Sequence, residues 1–464
     1  MQDNNIIAAI STAPGVGGIA VIRVSGKGSI ELVDKVFKSA SGKILAAQKA
    51  NTIHFGCIMK DDEILDEVLV SIFRAPHSFT GEDSIEISCH GSLYIQQNIL
   101  QVLIAQGAML ARAGEFTQRA FINGKMDLSQ AESVADLIAS DSAATHRLAI
   151  NQMRGGISNK LIELRTQLLN FTSLIELELD FSEEDVEFAN RDNLKELAQT
   201  IEEHIRELSD SFQLGNAVKT GIPVAIIGET NAGKSTLLNI LLHEEKAIVS
   251  DIHGTTRDVI EDTINIEGIA FRFIDTAGIR DTMDEIESIG IERTFKKLQQ
   301  ASIVLWIIDT SVSDSHIEDL SKKIIPHIKD QKVILVFNKV DIVGCGVVMN
   351  NKRTILQDIF PDRIFISAKY DEGLTELQNR LIEAANIPKF GEQDVIITNL
   401  RHYEALQNAL AAIERVSEGL ELQISGDFLS QDIRECLHYL GEITGHISTD
   451  EILGNIFSKF CIGK

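Results

Sequence analysis

Eight consecutive residues, Gly228-Glu229-Thr230-Asn231-Ala232-Gly233-Lys234-Ser235, have the types and spacing to hold a phosphate. They follow an apolar run, 222–227, and precede a helix-like stretch, 234–242. Strand, then G-x-x-x-x-G-K-S, then helix is the P-loop context. The glycines let backbone amides curl around a β-phosphate, Lys234 reaches the β/γ oxygens, and Ser235 offers a hydroxyl to Mg2+. Downstream come Thr255-Thr256-Arg257-Asp258, Asp275-Thr276-Ala277-Gly278, Asn338-Lys339-Val340-Asp341 and Ser367-Ala368-Lys369. Each lies at or beside the end of a strand-like run, where open α/β sheets bind ligands. Asp275 can hold the Mg2+ shell, and the Gly278 amide can meet a γ-phosphate. Asp341 offers two acceptors to the N1 and N2 protons of guanine, where adenine has no matching donors. Asn338 can contact the guanine N7/O6 edge and the Ala368 amide can support O6. Five such segments in this order identify the nucleotide as GTP.

The hydrolytic residue is less plain. Ras-type switches place a water-orienting glutamine just after D-T-A-G, but here Ile279 and Arg280 stand there. Asp281, Asp284, Glu285 and Glu287 are the alternatives in the acidic stretch that follows. Asn231 is a second unusual choice: its amide oxygen, beside Lys234, could ligate a monovalent cation that does the work of an arginine finger.

The elements that position these residues fall into four segments. Residues 1 to about 120 mix short β-branched runs (18–24, 68–73, 84–88) with a helix pattern at 92–106, which reads as α+β. From Met126 to about Leu214 the apolar spacing is helical and glycine and proline nearly vanish after Gly156, as suits long helices in a bundle. Residues 218 to about 384 alternate strands (222–227, 263–266, 271–274, 304–309, 333–338, 364–366) with helices, which predicts a mainly parallel sheet covered on both faces. The helical pattern returns from about Asn399. The expected organisation is multidomain: an N-terminal α+β domain over 1–120, a discontinuous α-helical domain over 121–216 and 386–464, and an inserted Ras-like α/β P-loop GTPase domain over 217–385.

Bulk properties exclude several classes. The chain has 464 residues and 44% hydrophobic content, enough for several packed cores. No apolar run approaches a membrane span, and the N-terminus lacks the basic start and apolar core of a secretory signal. Five cysteines without a C-x-x-C pair fit a reducing, cytoplasmic setting. A net charge of −25, from 43 basic and 68 acidic residues, gives no global attraction for nucleic acid. An RNA substrate would therefore need a local basic surface or a partner. The sharpest charge run, Glu176 to Glu187, reads as a solvated helix face and loop.

Several further stretches carry a family resemblance. These are Gly17-Gly18-Ile19-Ala20-Val21-Ile22-Arg23-Val24-Ser25-Gly26, Ser78-Phe79-Thr80-Gly81-Glu82-Asp83, and Gly114-Glu115-Phe116-Thr117-Gln118-Arg119-Ala120-Phe121. Asp127-Leu128-Ser129-Gln130-Ala131-Glu132, Ile289-Gly290-Ile291-Glu292-Arg293 and the terminal Cys461-Ile462-Gly463-Lys464 complete the set. With the domain order they make nearly the whole chain resemble the MnmE (TrmE) family, the GTPases of tRNA wobble-uridine modification. The resemblance implies a nucleotide site over Asn231, Ala232, Gly233, Lys234, Ser235 and Thr236, then Ser250, Asp251, Ile252, His253, Gly254, Thr255 and Thr256. It continues through Asp275, Thr276, Ala277 and Gly278, then Asn338, Lys339 and Asp341, then Ser367, Ala368 and Lys369. It also implies Mg2+ on Ser235 and Thr256, K+ on Asn231, Ser250, Ile252 and Thr255, and Glu287 as the water-orienting acid. A pocket for 5-formyl-tetrahydrofolate or a related one-carbon folate falls on Arg23, Glu82, Lys125 and Lys464, whose basic members suit the folate's glutamate carboxylates. Cys461 falls near that pocket, with a possible role in one-carbon chemistry. Its position four from the end matches a prenylation box poorly, because Gly463 and Lys464 follow and no polybasic stretch precedes it.

Two departures stand out: Thr230 where the family usually has proline, and Ser92 in place of a common glycine after His90-Gly91. The implied assembly is a homodimer that works with an MnmG (GidA)-like FAD protein, in a heterotetramer or larger complex, on uridine 34 of certain tRNAs. Two rivals remain at this level. A ribosome-assembly GTPase would share the G-domain motifs but lacks a reason for the N-terminal segment. A folate-dependent transferase with a regulatory G domain predicts transfer without the partner.

Overall fold

The computed structural model describes residues 5–180, 191–229, 231–246, 262–274, 298–343, 356, 358–387, 394–447, 450–458 and 460–463. In chain order the strands are β1 (Ile7–Ile10), β2 (Gly17–Ser25), β3 (Phe37–Ser39), β4 (Thr52–Lys60), β5 (Glu63–Phe73), β6 (Ser84–Gly91), β7 (Met109–Leu110), β8 (Ile222–Gly228), β9 (Asp262–Ile266), β10 (Ile269–Phe273), β11 (Ile303–Asp309), β12 (Lys332–Asn338) and β13 (Arg363–Phe365). The α-helices are α1 (Ser29–Asp34), α2 (Leu93–Ala105), α3 (Glu115–Ile122), α4 (Leu128–Ala139), α5 (Ala143–Met153), α6 (Gly156–Asp180), α7 (Arg191–Thr220), α8 (Lys234–Lys246), α9 (Asp314–Ile324), α10 (Val340–Val343), α11 (Leu374–Ala385), α12 (Leu400–Glu421), α13 (Gly426–Thr444) and α14 (Asp450–Phe457). The chain forms two compact units: 1–139 with 149–207 and 404–464, and 140–148 with 208–403. The second is thus inserted between parts of the first.

The first unit carries a seven-stranded sheet ordered β3-β4-β5-β6-β2-β1-β7, antiparallel except where β1 runs beside β7. Strand alternation sends Ala20, Ile22 and Val24, Val68, Val70 and Ile72, and Ile85, Ile87 and Cys89 to one face. There they pack on Ile30, Leu32 and Val33 of α1 and Ile99 and Leu103 of α2. On the opposite face, β1 presents Ile7 and Ala9 to Phe116 of α3. The helices of this unit bury one stripe each, as with Leu161, Leu164 and Leu168 of α6 and Ile433, Cys436 and Leu440 of α13.

The second unit holds a six-stranded sheet ordered β13-β12-β11-β8-β10-β9. Only the β9–β10 hairpin is antiparallel. Its two-residue turn, Glu267-Gly268, has φ of 50° and 87°, the left-handed pair that matches strand twist. The central strands are apolar without alternation because both faces are covered. Ile226, Leu305 and Val336 face one core with Leu237 and Leu241 of α8 and Leu377 of α11. Ile227, Trp306 and Phe337 face the other with Ile317 of α9. This layering sets the loops after β8, β11 and β12 at one sheet edge, the end where a nucleotide sits in such folds.

Candidate functional site

The loop after β8 turns through three positive φ values: Gly228 at 149°, Asn231 at 64° and Gly233 at 98°. A β-carbon at Gly233 would run into the Asn338 carboxamide, so this position demands glycine twice over. The Lys234 ammonium donates to the carbonyls of Gly228 at 2.8 Å and Glu229 at 2.7 Å, lying across the loop it serves. Ala232 is buried while the Asn231 and Thr236 side chains are exposed and Ser235 half-buried.

Three other segments converge here. The Asn338 amide donates to the Ala232 carbonyl at 2.9 Å, and its oxygen accepts from the Ala368 amide at 3.0 Å. One buried side chain therefore ties the phosphate loop to the segment after β13. Ser367, also buried, donates its hydroxyl to Asp341 at 2.6 Å, which aims the exposed carboxylate. Lys369 lies over the Tyr370 ring at 5.1 Å. Lys339 adopts φ 67° and pairs with Asp309 at 2.7 Å, while Thr310 donates to the Lys339 carbonyl at 2.9 Å. Burial pushes the Asp309 carboxyl up, but the Lys339 ammonium and the amide and hydroxyl of Ser311 outweigh it and hold it below the usual carboxylate value. Asp309, Thr310 and the Glu229–His316 contact of 2.5 Å went unassigned by sequence; Asp309, ending an apolar strand in line with the motifs, was the one visible hint.

Ser250, Asp251, Ile252, His253, Gly254, Thr255, Thr256, Asp275, Thr276, Ala277, Gly278 and Glu287 lie outside the described residues, as do Thr230, Lys464 and the acidic residues 181–187. The described donors suit the expected ions: the Ser235 hydroxyl can face Mg2+, and the Asn231 amide oxygen, exposed on a strained turn, can face a monovalent cation. Among the described residues no cluster of three acidic, histidine or cysteine side chains could hold a metal unaided.

A second constellation lies on the N-terminal sheet. Arg23 pairs with its cross-strand neighbour Glu86 at 2.8 Å, and its guanidinium lies 5.2 Å from the Phe79 ring centre and 5.7 Å from that of Phe116. Glu82 accepts from Ser25 at 3.0 Å and from Arg119 at 3.1 Å. Arg119, nearly buried, also reaches Glu115 at 3.0 Å and the Asn5 carbonyl at 2.9 Å. Lys125 packs its stem near Gly81 and donates to the Pro76 carbonyl at 2.9 Å. Arg23, Glu82 and Lys125 are thus gathered around one loop, 76–83. Phe79, Phe116 and Arg119 join them; all three sat inside the quoted motifs with no role assigned.

The tail reaches the same sheet. Ile462 bridges Ala113, the Gly114 amide donates to the Cys461 carbonyl at 3.4 Å, and Ser11 donates to the Gly463 carbonyl at 3.0 Å. Gly463 has φ 94°, and any side chain there would strike the Ile10 carbonyl. Gly463→Ala is therefore expected to release the tail, read as faster proteolysis after Phe460 with the melting of the G domain unchanged. Cys461 is exposed. Burial pushes the Cys89 thiol up to about 11 and Cys436 up to about 12, which leaves both inert at neutral pH.

Comparisons with known proteins agree from end to end. A family model described as the GTP-binding protein TrmE N-terminus matches residues 6–125, and one described as the MnmE helical domain matches 128–461. The tRNA modification GTPase MnmE of Bacteroides thetaiotaomicron is 60% identical over 468 residues, covering 100% of both chains. The chain belongs to the MnmE family. The MnmE proteins of Parabacteroides distasonis, 58% identical over 99% of both chains, and Christiangramia forsetii, 52% identical over 100% of both, extend the same likeness. Among solved structures, Era in complex with MgGDPNP and a segment of 16S ribosomal RNA is 28% identical over 41% of this chain and 66% of its own, at a TM-score of 0.29. At that score the P-loop fold rests on the strand order and loop geometry above. Among the described residues no helix is long and apolar enough to cross a membrane.

Proposed function

We propose that the GTP hydrolysis by which this member of the MnmE family serves tRNA modification is stimulated by potassium. The activity would be coupled to a flavin-dependent, MnmG-like partner that adds a carboxymethylaminomethyl group at C5 of wobble uridine 34. The observation that carries the cation is Asn231. It stands in the phosphate loop at φ 64°, exposed, on a turn fixed from behind by the Ala232–Asn338 tie.

Potassium would be held by the Asn231 amide oxygen with Ser250, Ile252 and Thr255, and would supply positive charge to the developing transition state. Magnesium would be held by Ser235 and Thr256. This chain's own work is then positional: Lys234 on the β/γ oxygens, Asp341 and Asn338 on guanine, and Glu287 orienting the attacking water. Two copies would bring their G domains face to face, and hydrolysis would relax that state and reset the modifying site.

A constitutive homodimer is supported by the uncovered part of the N-terminal sheet, where Ile53, Phe55 and Leu69 stand exposed on adjacent strands. The basic and aromatic cluster of Arg23, Phe79, Phe116 and Lys125 supports a one-carbon folate there, a planar ring with a carboxylate tail.

Turnover measured in KCl and NaCl at equal ionic strength tests the cation. Potassium is expected to raise the rate by at least about tenfold, a fraction of the order of 10³-fold or more that an arginine finger supplies. Asn231→Ala should erase the difference, and Glu287→Ala should lower the potassium rate. Equal rates in the two salts would sink the cation reading. Profiling wobble nucleosides in a deletion strain separates the modification role from ribosome assembly, since unchanged uridine 34 would end the former.

A further inference from the structure

An acid follows the first glycine of the phosphate loop, where it works against the loop's purpose. GTP brings negative charge to the turn after β8, and Glu229 adds a carboxylate of its own. Its backbone, though, is the hub of that turn. The Glu229 carbonyl accepts from the Lys234 ammonium at 2.7 Å and from the Ala232 amide at 3.2 Å. Where this one peptide sits therefore decides how Lys234 is aimed.

The Glu229 side chain is caught by His316. Its Oε1 lies 2.5 Å from the ring Nε2, and because an ionised carboxylate only accepts, His316 is the donor. The amides of His316 and Ile317 donate to the Ser313 carbonyl at 3.1 and 3.2 Å, which starts α9. Ile317, 1% exposed, shares a core with Ile227, the residue just before Gly228. The start of the helix is thus anchored to the strand that delivers the loop. The segment between β11 and α9 is tied at its other end as well. There the Thr310 amide donates to the Asn338 carbonyl at 3.0 Å, and Lys339 pairs with Asp309 at 2.7 Å. Residues 309–316 so form a second tie between the guanine side and the phosphate loop, separate from the Asn338 side chain. From Thr310 to Ser321 the sequence holds Asp314, Glu318 and Asp319 but no lysine or arginine, so His316 is the basic side chain of that stretch.

We infer that His316 is a positioning residue for GTP. By holding the Glu229 carboxylate it fixes the peptide that seats Lys234 and keeps the acid's charge from the phosphates. The two side chains are 50% and 39% exposed, so the effect is modest and fades with salt. The inference rests on the placement of the phosphates at the loop after β8.

Titration of the full-length chain with fluorescent GDP and a fluorescent GTP analogue tests it. His316→Ala is expected to weaken the GTP analogue about fivefold at about 50 mM salt and less than about twofold at about 300 mM. GDP, with less charge, should be affected less, and the melting temperature should not move. Glu229→Gln removes the acid's charge, so the double variant Glu229→Gln, His316→Ala should bind the analogue within about twofold of the wild type. His316→Gln keeps a donor and should restore the affinity to the same extent. A His316→Ala loss that salt does not reduce and Glu229→Gln does not repair would assign the ring to the folding of α9 alone and overturn the role. Lys234→Ala separates the two readings. If Lys234→Ala binds poorly while His316→Ala binds like the wild type, only the His316 role is overturned. If Lys234→Ala binds like the wild type, the placement of the phosphates falls and the His316 role falls with it.

Discussion

Asn338→Ala is expected to weaken GTP binding by about two to three orders of magnitude while leaving the chain folded. The side chain is 2% exposed and makes two bonds that no neighbour can replace, to the Ala232 carbonyl and from the Ala368 amide. Truncation leaves a buried donor and a buried acceptor unpaired, at about 1–3 kcal/mol each. Both orphaned groups belong to the segments proposed to hold the nucleotide, so much of the cost should fall on affinity and not on global stability. The cavity is small and adjoins the ligand site, which limits the loss of core packing. Fluorescent-GDP titration beside a thermal melt separates the two effects. Affinity within twofold of wild type would refute the bridging role assigned to this residue. Asn338→Asp keeps the acceptor for Ala368 but loses the donor to Ala232, and is expected to fall between the two.

The second large effect concerns Arg119. Its guanidinium lies between Glu115 and Glu82, and Glu115 is 6% exposed. Arg119→Met fills the same volume but leaves these carboxylates facing each other without their cation. Breaking a buried pair from one side costs about 3–5 kcal/mol, so the N-terminal domain should melt well below its wild-type temperature at pH 7. The pH dependence gives a sharper signature. In the wild type burial raises the Glu115 carboxyl, yet the Arg112 amide and Arg119 outweigh it and hold the pKa below its ordinary 4.5. A depressed folded pKa stabilises above the unfolded value, and that contribution is lost as pH falls through the folded one. Without Arg119 two of the lowering influences on Glu115 are lost and the Glu115 pKa rises from its wild-type position, so lowering the pH costs the folded variant less than the wild type. The stability gap between variant and wild type should therefore shrink as pH is lowered from 7 towards 4.5. A gap that is constant across this range would show that Arg119 acts by packing alone.

How much of this was readable in the residues follows from the physics of each part. The strands of the inserted domain stand out because a covered parallel sheet needs unbroken apolar runs. All six expected strands occur within about two residues of where the pattern put them, with Gly228 and Asn338 closing β8 and β12. The guanine-side tie was half legible. The motif marked Asn338, but only folding shows it bonded to Ala232, because that contact spans 106 residues. The N-terminal domain was harder to read. β4 carries His54, Gly56 and Cys57, and its outer face holds Ile53 and Phe55, so alternation is blurred and the nine-residue strand was not expected. β1, four residues long, is too short for any period to show. Arg119 looked like one more charge on a helix. Its burial comes from strand, loop and helix meeting around it, which no local window contains.

The tail on the N-terminal sheet has a consequence for biosynthesis. Ser11 and Gly463 are joined across 452 residues of sequence. While the chain is being made, the N-terminal sheet can form its seven strands and close its core on α1 and α2. Yet the edge near Ala113 and Gly114 waits for Cys461 and Ile462 through the synthesis of two long helical segments and a complete G domain. That edge is thus finished after the inserted domain, and a prematurely terminated product would leave it without the Ile462 bridge.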